Sequence, residues 1–258
     1  MIAIAGGESP GCFPTARLPF QPAATAGAAH KTELVTGDVL PVTDGEFERL
    51  LAECRRLLPA LGGYTEDDFG PYEDYITNVL LTVLDLQMHN VAVDNSIKYY
   101  WNHRWHEIRQ LTDLRAVLDR LPDTREGNRE AAQYLWGNNH WTRIGWLRGF
   151  VAFLEQESLT TQERLREWAN SCDYERDFRG RVKYLGIAAC QWLRMRLGVD
   201  TVKPDVHTHN FVKHAIGRPL TDSSVVKVIE AAARALNLRA RRLDGAIWEH
   251  QRGASGTI

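Results

Sequence analysis

Between Tyr72 and Lys203 the chain contains a single proline, Pro122. Proline lacks a backbone N–H and clashes with the preceding helical turn, so a stretch this long with one interruption is free to form consecutive helices. The apolar spacing agrees. In "PYEDYITNVLLTVLDLQ", Ile76, Val79, Leu80, Val83 and Leu84 fall three and four residues apart and share one helical face, and Pro71 suits a first helical position. Thr43-Asp44-Gly45-Glu46 supplies the hydroxyl and carboxylate of a capping box ahead of Leu50, Leu51, Cys54, Leu57 and Leu58, which predicts a helix to about Leu58. A second amphipathic segment, "VAVDNSIKYYWNHRW", follows Gln87-Met88-His89-Asn90, and further helices are expected over 111–120, 125–136, 139–156, 160–170, 174–183, 186–197, 205–216, 222–236 and 239–250. Alternation of apolar and polar residues is scarce, and only 32–40 (TELVTGDVL) predicts a short strand. The expected fold is all-α.

A chain of 258 residues is one large domain or two small ones sharing a cleft. Residues 1–40 carry Pro10, Pro14, Pro19 and Pro22 among Gly and Ala clusters, so an irregular N-terminal arm is expected there. No uninterrupted apolar run approaches the roughly 18 residues of a membrane span, so no membrane partner is expected. The opening MIAIAGGESPG lacks the basic-then-apolar pattern of a secretory signal, which predicts a cytoplasmic protein. Cys12, Cys54, Cys172 and Cys190 are scattered, without zinc or iron-sulfur spacing, and are expected to be reduced and structural. The net charge of −2 does not suggest a nucleic-acid partner, but its distribution does: Arg176 to Arg218 contains nine Lys and Arg against three Asp, a local +6. Such a cluster is either a nucleic-acid footprint or a solvated helical face.

The same stretch holds the richest chemistry. Arg181-Val182-Lys183-Tyr184-Leu185 leads to Gly186, and good helix formers follow from Ile187 to Leu197. A glycine between two helices permits a tight reversal and leaves N–H groups exposed at the next helix start, where a phosphate can bind beside Arg181 and Lys183. A plain packing hairpin is the alternative. Gly198 suits the position past a helix end, and Pro204-Asp205 opens another helix. An Asp there is stabilised as the anion by N–H groups and the helix dipole. It could cap the helix, stabilise a sugar cation during glycosidic cleavage, or ligate a metal with His207 and His209. On a helix Asp205 and His209 share a face while His207 points away, so no metal is expected.

The order of helix, Gly hairpin, helix, loop and Asp at a helix start resembles the helix-hairpin-helix (HhH-GPD) DNA glycosylase superfamily. "LDLQMHNVAVDNSIKYYW" is similar to the family segment in which a Gln precedes a Val-x-Val-type helix, and "YLWGNNHWTRIGWLRGFVAFLEQE" to its Tyr-Asn-containing turn. The nineteen-residue step from Gly186 to Asp205 is also similar, and the resemblance covers about 70–250. It implies a two-lobed helical fold with a central cleft, with 71–172 as the central lobe and 41–70 and 173–258 flanking the cleft. Double-stranded DNA would lie across the cleft with one base flipped out, and Asp205 would support departure of that base. Gln87 would enter the emptied DNA space, Gly186 and Lys183 would hold a phosphate, and Arg181, Lys203 and His207 would contact DNA. Tyr100, Trp101, Asn139 and Trp141 are the candidates for the base pocket. The chain departs from the family where relatives show Gly-x-Gly-x-x-Thr-Ala: it has Lys183-Tyr184-Leu185-Gly186-Ile187-Ala188-Ala189. The nucleophilic Lys of bifunctional members falls on Ile187 or Ala188, neither of which forms a Schiff base. The resemblance therefore implies a monofunctional glycosylase, monomeric, nucleoid-associated and without cofactor or iron-sulfur cluster. A non-catalytic DNA-binding protein on the same scaffold is the alternative.

Overall fold

Thr43 closes the first turn of α1 (Asp44–Leu57) as its sequence predicts: its hydroxyl accepts from the Glu46 N–H at 3.3 Å and its own N–H donates to Glu46 Oε2 at 2.8 Å. The Arg218 guanidinium donates to the other Glu46 oxygen at 2.7 Å and holds that carboxyl down at about 2. The computed structural model describes residues 40–59, 73–86 and 88–255, all of which belong to one unit, Val39–Ile258. The expected arm, the expected strand at 32–40 apart from Leu40, and Pro71 lie outside the described residues.

Among the described residues there are eleven α-helices and no strand. After α1 come α2 (Tyr75–Leu84), α3 (Asn90–His103), α4 (Leu111–Asp119), α5 (Arg125–Trp136), α6 (Trp141–Gln156) and α7 (Gln162–Ser171). Then follow α8 (Ile187–Arg196), α9 (Val206–Ile216), α10 (Asp222–Ala235) and α11 (Ala240–Ser255). Side-chain caps predictable from sequence start many of them: Asp74 for α2, Thr124 for α5, Thr161 for α7 and Thr221 for α10. Among the described residues no helix is long and apolar enough to cross a membrane.

The expected helix over 174–183 is not there. Residues Tyr174–Phe178 form one π-helical turn, Arg179 leaves helical conformation with ψ 124°, and Gly180 is left-handed at φ 71°. The reversal ahead of α8 is also not made by Gly186, whose φ of −91° suits any residue. Tyr184 makes it, at φ 70°, a conformation costly for a residue with a Cβ.

Two hydrophobic clusters hold the helices. The first is built on α2 to α8, with Leu80, Tyr100, Trp136 and Phe150 fully buried; the second on α1 and α9 to α11, with Leu50, Cys54, Val228 and Leu243. The changeover falls between Leu197 and Val202, because Phe178, Val182, Leu185, Cys190 and Leu193 all turn towards the first cluster. The first cluster also brings together two cysteines eighteen residues apart: Cys172 Sγ and Cys190 Sγ lie 3.9 Å apart and buried. The contact and burial push the Cys190 thiol up, while Cys172 is held below the usual thiol range.

Pro122 sits in the α4–α5 connection and constrains the next helix. A Cβ on Gly127 would stand 2.2 Å from the Pro122 carbonyl oxygen and 2.9 Å from its ring. Backbone on one side and a ring on the other cannot swing away. Gly127→Ala is expected to lower unfolding stability by about 2 kcal/mol, read from the midpoint of urea denaturation.

Candidate functional site

The segment after α8 runs through Gly198, left-handed at φ 98°, and returns by buried Pro204 to the start of α9. Asp205 is the N-cap of that helix, in extended conformation (φ −98°, ψ −176°). Its Oδ1 accepts from the His207 N–H at 2.9 Å and the Thr208 N–H at 3.2 Å, and lies 3.4 Å from Thr208 Oγ1. These bonds fix the carboxylate and offset two of the helix's unpaired donors. Asp205 is therefore a cap, and it also lines a cavity of about 280 Å³.

The cavity is lined from both clusters. Leu81, Val93 and Met195 give it apolar wall from α2, α3 and α8, Trp192 comes from α8, and Asp244 and Trp248 come from α11. Its volume is at the small end for ligand sites, roughly 300–1,000 Å³, and suits one flat ring system. Two indoles supply faces for such a ring.

The charges in its wall are ordered. Arg196, 3% exposed, donates to Thr82 Oγ1 at 2.7 Å and the Asn78 carbonyl at 3.3 Å. Its Nη1 lies 3.8 Å from Asp85 Oδ2, and the Lys203 ammonium lies at the same distance from that oxygen. Both cations also lie over the Trp192 ring, the Lys203 nitrogen 4.8 Å and the Arg196 guanidinium carbon 5.3 Å from its centre. Asp85 thus faces two cations.

Asp244 is different. Ala240, Leu243 and Ile247 form the buried stripe of α11, and Asp244, half-buried, lies at the edge of it, one turn after Ala240. Loss of water pushes its carboxyl up to about 8, and the charge of nearby Asp205 adds to the effect. Lys203 and Thr208 oppose it, Thr208 through a contact of 3.4 Å from its hydroxyl to Asp244 Oδ1.

Of the described residues singled out from sequence as site candidates, Asp205 and Lys203 are among those that line this cavity. Tyr100 is a core residue, 0% exposed, whose hydroxyl donates to the Ile108 carbonyl at 2.8 Å. Trp101 packs beside the first cluster with its N–H on Thr77 Oγ1 at 2.9 Å. Asn139 is exposed and its carbonyl accepts from the Trp141 N–H, while the Trp141 ring lies under the Arg125 guanidinium at 5.5 Å. The aromatic faces of the cavity are instead Trp192 and Trp248, each on a helix whose apolar face absorbs it in a sequence reading. His207 packs edge-on to Trp248 with ring centres 6.3 Å apart. Arg181 pairs with Glu157, and Lys183 is exposed with its ammonium 4.9 Å from the Tyr184 ring centre. Gly186 N-caps α8 without a side-chain bond to the helix start, and open space surrounds its would-be Cβ. Gln87 lies outside the described residues.

The local +6 is largely answered by pairing, with Asp177 inside the counted stretch and with Glu175, Glu157, Glu46 and Asp85 outside it. Arg176 pairs with Asp177, Arg179 with Glu175, Arg181 with Glu157, Arg218 with Glu46, and Arg196 and Lys203 share Asp85. Among the described residues no group of three or more His, Cys, Asp or Glu is placed to hold a metal ion, and His209 Nε2 meets Asp222 Oδ1 at 2.8 Å instead of joining His207.

The family described as Domain of unknown function (DUF8548) matches residues 71–252, well over half of the chain. The chain belongs to this family. The DUF8548 match spans every residue that lines the cavity, from Leu81 to Trp248. No curated protein and no solved structure matches the chain.

Proposed function

We propose that this DUF8548 protein is a monofunctional DNA glycosylase that hydrolyses the N-glycosidic bond of one flipped base and leaves an abasic site. The observation that carries the proposal is the position of Asp205: one oxygen is fixed by the N–H groups of its own helix, and the residue lines a cavity with two indole faces and room for one flat ring. A fixed carboxylate beside such a ring stabilises the sugar cation that forms as a base leaves, and it needs little rearrangement to do so. On this reading the two hydrophobic clusters are two lobes of a glycosylase-like fold, and duplex DNA lies across the junction between them. The base is a damaged base of the cell's own DNA or a modified base of foreign DNA, and the protein acts as a monomer in the cytoplasm, at the nucleoid.

The pairing of most local cations predicts modest DNA affinity. Lys183, exposed beside the uncapped start of α8, is the proposed phosphate contact. Lys183→Ala is expected to reduce the slope of log affinity against log salt by about 0.9, measured by fluorescence anisotropy with labelled duplex.

The function itself is tested with a panel of duplexes, each carrying one lesion or modified base, treated with protein and then with alkali. Alkali-dependent strand cleavage of at least one duplex is expected. Cleavage without alkali would contradict the monofunctional assignment and point to Lys203, an amine lining the same cavity. The irregular segment ahead of Gly186 favours the alternative, a non-catalytic DNA-binding protein, which predicts binding without base release.

A further inference from the structure

We propose that Asp244 is a second catalytic carboxyl of the cavity: it donates a proton to the departing base while Asp205 faces the sugar. This rests on the glycosidic reading above and extends it to the leaving group.

Geometry places the two carboxyls as a pair. Thr208 Oγ1, whose nearest acceptor is the Lys203 carbonyl at 3.0 Å, lies 3.4 Å from Asp205 Oδ1 and 3.4 Å from Asp244 Oδ1, so the two carboxyls sit on either side of one hydroxyl, and both residues line the same cavity. They come from different elements, Asp205 from the start of α9 and Asp244 from the middle of α11. Trp248, one turn after Asp244 on the same helix, gives that ring a face to rest on. Their surroundings also separate them. Asp205 accepts two backbone N–H bonds from its own helix, while Asp244 lies beside the apolar stripe of α11, where loss of water raises its carboxyl. A pair of carboxyls separated in this way divides acid and charge-stabilising roles between them.

The other charged groups of the cavity do not remove that asymmetry. Lys203 and Arg196 lie against Asp85, and Arg241 and Asp94 complete the charged wall. Lys203 favours ionisation of Asp244, but burial and Asp205 outweigh it.

The step balances. As the C1′–N bond breaks, its electron pair moves onto the base, and the Asp244 O–H proton goes to a ring nitrogen or oxygen of the base. Water adds to the sugar cation at C1′, and its surplus proton returns to the Asp244 carboxylate. The products are the neutral base and a sugar hydroxyl.

The test compares leaving groups. Single-turnover base release is measured with the parent and Asp244→Asn on duplexes carrying neutral bases (uracil, hypoxanthine or 1,N6-ethenoadenine) and on one carrying 7-methylguanine, a base that is cationic before it leaves. Asp244→Asn is expected to slow neutral-base release about 10²-fold, with 7-methylguanine release at pH 6 within a few-fold of the parent. The parent's rate on a neutral base is expected to fall with pH above about 8, where Asp244 loses its proton. That parent profile decides the matter if the Asn variant does not fold or 7-methylguanine is not excised. Equal slowing on both leaving groups, no slowing on either, release of 7-methylguanine alone by the parent, or a parent rate that does not fall above pH 8 overturns the role of Asp244 and leaves Asp205 standing. If the parent releases no base from any duplex, the glycosidic reading itself fails.

Discussion

Asp205→Asn is expected to bind duplex DNA within a few-fold of the parent and to release the preferred base at least about 10³-fold more slowly, a loss of roughly 4 kcal/mol of transition-state stabilisation. The substitution separates the residue's two roles. Asn is as good an N-cap as Asp, and its side-chain oxygen can still accept from the His207 and Thr208 N–H groups. The helix start and the cavity wall therefore stay as they are, and folding stability should change by no more than about 0.5 kcal/mol. Only the charge facing the sugar is lost. Asp205→Ala, in contrast, removes cap and charge together, and should also lower stability by about 1 kcal/mol.

Arg196→Ala should have the largest effect on stability, about 3–5 kcal/mol. The guanidinium is buried in α8, where it binds Thr82 Oγ1 and the Asn78 carbonyl of α2, lies over Trp192 and faces Asp85. Without it, Thr82 Oγ1 loses this donor inside the first cluster, while the Asn78 carbonyl keeps the Thr82 hydroxyl at 2.8 Å, and the space of a buried guanidinium is left unfilled. For a domain of this size the loss corresponds to a fall in Tm of about 10 °C, read by calorimetry. A fall of a degree or less would mean that Arg196 is not part of the frame.

Much of the fold was legible in the sequence because helices announce themselves locally. The Thr43 capping box, the Thr caps of α5 and α10, and the apolar spacing of α2 all depend on residues within a turn or two of one another. The departure at 174–183 is local too: Arg179 leaves helical conformation and Gly180 is left-handed. Asp205 was legible because a Pro-Asp pair marks a helix start. The rest of the cavity was not, since Trp192, Asp85, Asp244 and Trp248 come from three helices and meet only through packing. Asp244 did leave one trace, an acid followed by a glycine beside the apolar stripe of α11, where neither residue helps a helix pack. The pairing of the cationic run is hidden for the same physical reason, because acids distant in sequence, Glu46, Asp85 and Glu157, come to rest against it.

The central claim is that a base leaves its sugar in this cavity with the help of the Asp205 charge. Mass spectrometry of the small-molecule fraction, after incubation of each lesion duplex with the parent protein and with Asp205→Asn, tests it most directly. The account predicts free base from at least one duplex, in a one-to-one ratio with abasic sites, and none above background from the variant. Free base from Asp205→Asn at the parent's rate, or no free base from any duplex with the parent, would contradict it.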